Sequence, residues 1–123
     1  INMWVVTISE NLDTAVRKMQ KNRRVMAHYV VCNGCVYSNS ILGFDPQGNY
    51  EVVPFTHEIA STEFVSGVAA VCNADVDMAM VKGAFCNRSS MAEFAQWLVA
   101  KCGETSGQKV ILKFYSDGTI ARH

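Results

Sequence analysis

The dipeptide Asn33-Gly34 stands between two runs of strand-forming residues, Val25-Met26-Ala27-His28-Tyr29-Val30-Val31 before it and Cys35 to Phe44 after it. Asn-Gly accepts the positive φ angles of a tight primed turn, whose twist matches that of the flanking strands, so an antiparallel hairpin is built into the chain here. A second turn, Asp45-Pro46-Gln47-Gly48, leads into Tyr50 to Pro54. Pro fixes φ at one turn position and Gly supplies the freedom needed at another. Two successive hairpins make a meander of three antiparallel strands, and residues 57–62 read as the loop that leaves it.

Periodicity organises the rest. Trp4 to Thr7 reads as a short strand, and a helix is predicted over about residues 9–21, because Leu12, Ala15, Val16 and Met19 share one helical face. Thr7 and Glu10 have the spacing of a capping box. Arg17, Lys18, Lys21, Arg23 and Arg24 then read either as a phosphate or nucleic-acid patch or as a solvated helix face that complements the helix dipole, and the lack of the interleaved aromatics that single-strand binding needs favours the second. A second helix is predicted from Ser90 and Glu93, another capping box, with Met91, Phe94, Ala95, Leu98 and Cys102 on its apolar face and Gly103 as its C-terminal glycine. The chain closes on a hairpin, Lys109 to Tyr115, the turn Asp117-Gly118, then Thr119 to Arg122, with Val110, Leu112 and Phe114 alternating onto a core face.

Between the meander and the second helix lies EFVSGVAAVCNADVDMAMVKG, Glu63 to Gly83. The small and β-branched run Val68 to Cys72 has the character of a buried strand. If that strand continues past Asn73, Asp75 and Asp77 project from one face, as a metal-binding or acid pair would. The other reading is a polar strand end facing water, and no metal or other cofactor is expected.

With 123 residues and half of them hydrophobic, the chain suits one domain, residues 1–123, with an ordinary core. Eleven basic and eleven acidic residues cancel, so no global field recruits nucleic acid or an anionic membrane. No apolar run reaches the ~18 residues of a membrane span, and the short apolar stretch Met3 to Val6 lacks the basic leader of a secretory signal. Five cysteines, an odd number scattered through apolar segments, point to reduced thiols and a cytoplasmic location.

Three readings are open for Cys32-Asn33-Gly34-Cys35: half of a structural zinc site, a redox pair, or two hairpin residues that happen to be cysteines. Trp97 lies off the centre of the second helix's apolar stripe, where it would either anchor an interface or pack against a neighbouring strand. No residue is assigned a catalytic role.

The order of segments also resembles the front of metal-dependent amidohydrolases of the chlorohydrolase and cytosine-deaminase kind. In that family a small β-domain with an Asp-x-x-Gly turn precedes the catalytic barrel, whose first strand ends in Asn-Ala-His-Cys-His followed by an apolar pair and Leu-Lys-Gly. Here Arg24 to Val31 looks like the first strand, Phe44-Asp45-Pro46-Gln47-Gly48 like the acidic turn, Phe64-Val65-Ser66-Gly67 like the approach to the barrel, and Asn73-Ala74-Asp75-Val76-Asp77 with Val81-Lys82-Gly83 like the metal frame. The resemblance covers residues 24–102, leaving 1–23 and 103–123 as additions. It implies that both metal-binding histidines are replaced by Asp75 and Asp77, and that a barrel of ~250 residues cannot be completed in this chain.

The expected fold is therefore α+β, a mainly antiparallel sheet of meander plus C-terminal hairpin carrying two amphipathic helices, with a β-roll or sandwich as the alternative. The expected role is a non-catalytic amidohydrolase-like remnant kept as a binding or assembly module. The alternatives are a small metal- or thiol-dependent enzyme and a subunit partnering a full-length relative. A homodimer is the default association, through a sheet edge or Trp97.

Overall fold

The computed structural model describes residues 3–9, 14–56, 62–102 and 107–115. They form strands β1 (Trp4–Ser9), β2 (Thr14–Lys18), β3 (Arg23–Cys32), β4 (Cys35–Phe44), β5 (Tyr50–Pro54) and β6 (Thr62–Asn73), helices α1 (Met78–Cys86) and α2 (Met91–Cys102), and strand β7 (Lys109–Tyr115). The strands make one seven-stranded sheet in the order β2-β1-β7-β6-β3-β4-β5.

The meander forms where its turns place it. Asn33 and Gly34 take φ of 52° and 76°, Cys32 opposes Cys35, and β5 continues the antiparallel ladder along β4. Asp45 organises the second turn by accepting hydrogen bonds from the backbone N–H groups of Gln47 and Asn49, which hold its carboxyl below the usual range. Four of the six described strand pairings are antiparallel, as the mainly antiparallel expectation has it, but the sheet is mixed: β3 runs parallel to β6, and β1 runs parallel to β7. Hairpin signals in a sequence report only local antiparallel neighbours. Both parallel contacts join strands far apart in the chain.

Among its described residues the helix expected over 9–21 is not formed. Thr14–Lys18 is a strand, paired antiparallel with β1 so that Val16 opposes Val6. The β-branched Thr14 and Val16 suit a strand, and β1 has an unpaired edge that β2 satisfies. Glu10, the far half of the proposed capping box, lies outside the described residues. The two helices among the described residues are instead consecutive. In α2 the Ser90 hydroxyl accepts from the backbone N–H of Glu93 at 3.1 Å, as its capping box requires, and Phe94, Ala95, Leu98 and Cys102 are buried. Of the loop expected over residues 57–62, Thr62 already belongs to β6, while residues 57–61, Gly103 and the return strand of the closing hairpin lie outside the described residues.

Two apolar clusters sandwich the sheet. On the helical face, Val68, Ala70 and Cys72 of β6 and Leu112 and Phe114 of β7 pack under Val81 and Phe85 of α1 and Phe94 and Leu98 of α2. The rings of Phe85, Phe94 and Phe114 meet at centroid distances of 4.8 to 5.6 Å, within the range of favourable edge-to-face pairs. On the other face, Val65, Ala69, Val71 and Ile111 join Met3, Val5 and Met19 from one side of the sheet and Leu42 and Phe44 from the other. The described residues that close this second face all come from strands and their ends.

Cys72 and Cys102 form a disulfide that ties β6 to the last turn of α2, which corrects the expectation of reduced thiols for this pair. Each sits on the buried side of its element, and burying both faces together brings their Cα atoms to 5.4 Å. A loop closed over a sequence separation of 30 stabilises a fold by about 3–4 kcal/mol on the chain-entropy argument.

Gly67 is required by close approach. A Cβ there would stand 2.1 Å from the carbonyl oxygen of Phe114, a backbone atom of the neighbouring strand that cannot yield without breaking the ladder. Gly83, inside α1, has nothing within 4 Å of its Cβ position. Urea unfolding should therefore show Gly67→Ala destabilised by about 3 kcal/mol or more, and Gly83→Ala stabilised by up to about 1 kcal/mol. Equal and small effects from both would contradict the packing described.

Candidate anion-binding groove

The basic cluster singled out in the sequence is real, but its scaffold is a strand, a connection and a second strand. Arg17 and Lys18 end β2, Lys21 lies in the link to β3, and Arg23 and Arg24 open β3. Together with Met19, Gln20, Asn22 and Glu63 they line an open groove of about 1020 Å³. Alternation along β2 places Arg17 on the side of Met19, so it points to the non-helical face. A helix would have spread these five cations around a cylinder. The β2 to β3 connection gathers them at one rim.

Glu63 organises that rim. Its Oε1 accepts from Arg23 Nη2 at 2.6 Å and its Oε2 from Lys113 Nζ at 2.7 Å, so one carboxylate bridges β6 to both β3 and β7. Lys113 is 3% exposed. Burial pulls its ammonium below the ordinary lysine value, the contact with Glu63 works in the opposite direction, and Arg23 and Arg17 add to the lowering. Burial by itself would raise the Glu63 carboxyl, but the hydrogen bond and charge of Lys113 and those of Arg23 outweigh it and hold the carboxyl below its ordinary value. Thr7, Ala15, Arg17, Glu63, Phe64 and Lys113 border a further hollow of about 410 Å³, so Arg17 and Glu63 stand between two adjoining recesses.

Arg and Lys side chains gathered at one rim can bind anions through charge-assisted hydrogen bonds, and the planar guanidinium fork suits phosphate and carboxylate oxygens. Sequence reasoning missed Glu63 and Lys113. The one visible signal was Lys113 itself, a lone cation inside the apolar run Val110 to Tyr115; its counterion lies 50 residues earlier.

The other candidates fall elsewhere. Strand β6 ends at Asn73, Asp75 lies in the following turn, and Asp77 is the N-cap of α1, its carboxylate accepting from the backbone N–H of Met80 at 3.2 Å. The same-face strand pair is thereby corrected: β6 ends before Asp75, a turn follows, and a capping bond occupies Asp77 at the start of α1. Among the described residues no group of three or more His, Cys, Asp or Glu side chains is arranged to hold a metal ion. Cys32 and Cys35 face each other across the hairpin, the first buried and the second exposed. Trp97 is half-buried and stacks on Phe94 at 5.9 Å, with the Lys101 ammonium over its ring. No helix among the described residues is long and apolar enough to cross a membrane. Comparison with family models, with curated protein sequences and with solved structures finds no match for this chain.

The bridge has a pH signature. A carboxyl whose folded pKa is lowered contributes stability that is present above its ordinary value of 4.5 and is lost as pH falls through the lower, folded value. Glu63→Gln should cost about 1–3 kcal/mol at neutral pH, because Lys113 keeps its buried charge and loses its acceptor. It should also flatten the acid limb of the stability curve below about pH 4.5. Denaturant melts of both proteins from pH 3 to 7 test the two statements together.

Proposed function

We propose that this chain is a binding module that holds a small, multiply charged anion of the phosphate-ester type in the groove rimmed by Arg17, Lys18, Lys21, Arg23 and Arg24. The observation that supports it is that Arg17, Lys18 and Lys21 line one groove beside Arg23 and Arg24, while the described carboxylate of that lining, Glu63, is already shared between Arg23 and Lys113. The net charge of the whole chain is zero, so attraction would act at short range at this rim and not over the entire surface. No aromatic ring lines the groove among the described residues, and its volume suits a ligand of metabolite size better than a nucleic-acid strand that needs stacking platforms. The role is binding, the class implied by an amidohydrolase-like frame with aspartates in place of its metal histidines.

Calorimetric titration with tripolyphosphate at low salt should show saturable binding that weakens steadily as salt is raised. Arg17→Ala combined with Lys21→Ala, both exposed positions, should weaken it about tenfold or more, which is ~1.4 kcal/mol per tenfold. Binding that ignores the double substitution would place the site elsewhere, and no binding at millimolar ligand would remove the proposal.

A second reading, assembly, is favoured by the ends of the sheet. Strands β2 and β5 are its outermost members, and Val16 on β2 is 58% exposed, with Val53 and Phe55 exposed at the other edge. An open strand edge beside apolar side chains invites pairing with a second chain. Light scattering at micromolar concentration should report about twice the 13.6 kDa chain mass, and Val16→Lys should restore the single mass if β2 is the contact. A monomer in the parent protein excludes this reading and leaves the groove untouched.

A further inference from the structure

We infer that Cys32 and Cys35 form a thiol–disulfide exchange site at the tip of the β3–β4 hairpin, taking small dialkyl disulfides as its oxidising substrate. Three observations carry this, and none depends on the groove. First, the register sets the two residues directly opposite each other on either side of Asn33-Gly34. Opposed residues of an antiparallel pair lie ~4.5–5.5 Å apart at Cα and project to one face. A disulfide spans ~4.4–6.8 Å, so the bond can close without moving the strands. Second, access is unequal: Cys35 is exposed, while Cys32 is 2% exposed and packs with the second apolar cluster. One thiol can meet a substrate and the other cannot. Third, the tip is held in place, because the Tyr50 hydroxyl donates to the side-chain oxygen of Asn33 at 2.9 Å and ties the turn to β5.

The chemistry balances in two displacements. The Cys35 thiolate attacks one sulfur of R–S–S–R; that bond breaks, one thiolate leaves and is protonated by solvent, and Cys35 carries the other half as a mixed disulfide. The Cys32 thiolate then attacks Sγ of Cys35, the mixed bond breaks, and the second thiolate leaves. The hairpin loses two electrons and two protons, and one substrate disulfide becomes two thiols. Burial and the neighbouring Cys35 push the Cys32 thiol up to about 11, and the exposed Tyr37 hydroxyl also stands beside Cys35. The contribution of Cys35 vanishes once that sulfur is in a mixed disulfide. Burial, the larger cause, still holds the Cys32 thiol above its ordinary value at that stage, so its thiolate is scarce but is a strong nucleophile once formed.

Cys86 is an internal control, being an exposed free cysteine with no cysteine opposite it in a strand register. The full chain is incubated with oxidised glutathione, quenched in acid and mapped by peptide mass. Cys86 should retain a glutathione adduct, whereas Cys32 and Cys35 should appear as one joined pair short of two hydrogens. In Cys32→Ala, chosen because alanine leaves no polar group in the buried site, Cys35 should stop at the adduct. Between pH 7 and 9 the adduct on Cys35 of the parent should shorten its lifetime about tenfold per pH unit, following the thiolate fraction of Cys32. An adduct on Cys35 that persists as long in the parent as in Cys32→Ala overturns the inference, as does a hairpin whose two thiols both remain free for alkylation after Cys86 has reacted.

Discussion

Strand β6 has no solvent side over its second half, and that two-sided burial is the constraint on which the remaining elements depend. From Gly67 to Cys72 every residue is buried. Even-numbered positions from Val68 face the helices, while Ala69 and Val71 face the second cluster. Small side chains here let β3 and β7 flank the strand closely while the helices come down on one face, and the absent Cβ of Gly67 admits the Phe114 carbonyl. Burial on both faces produces a near-continuous apolar run in place of alternation. For the same reason the polar residues that must accompany the strand collect at its beginning, where Glu63 meets Arg23 and Lys113.

What the sequence disclosed follows from how far its signals reach. Asn33-Gly34 and Asp45 to Gly48 act over two to four residues and placed the meander; Ser90 with Glu93 placed α2. The segment Thr14–Lys18 misled because five residues satisfy both periods: Ala15 and Met19 share a helical face and also the non-helical side of a strand. Tertiary pairing with β1 decides between them, and that pairing is invisible locally. Helix α1 was passed over because Asp75 and Asp77 were read as continuing β6, when Asp77 in fact caps the helix and ends that continuation.

The candidate groove shows the same division. Its five cations stood together in the sequence and their clustering was legible; what they face was not, since Glu63 and Lys113 reach them only through the β3–β6 and β6–β7 ladders. A charge cluster on an isolated helix is a solvated surface. The same residues on a strand, a connection and the next strand become a rim, because the doubling back of the chain sets them around one groove. The functional meaning of a charge pattern thus depended on a single change of local structure at Thr14–Lys18.

The parallel pairing of β1 with β7 joins Trp4 to Val110 and Ser9 to Tyr115, partners 106 residues apart. During synthesis the first strand leaves the ribosome long before its neighbour β7 exists, and closing so distant a contact carries the largest loop entropy among the described strand pairings. β1 and β2 can meanwhile pair only with each other, as a hairpin with an open edge and the apolar side chains of Val5, Val6 and Ile8 uncovered. The meander β3 to β5, complete by residue 54, is free to form early. A chain stalled or cleaved before Lys109 therefore forfeits more than its last strand: it strands the first two, separating the β1–β2 hairpin from a sheet that then ends at β6.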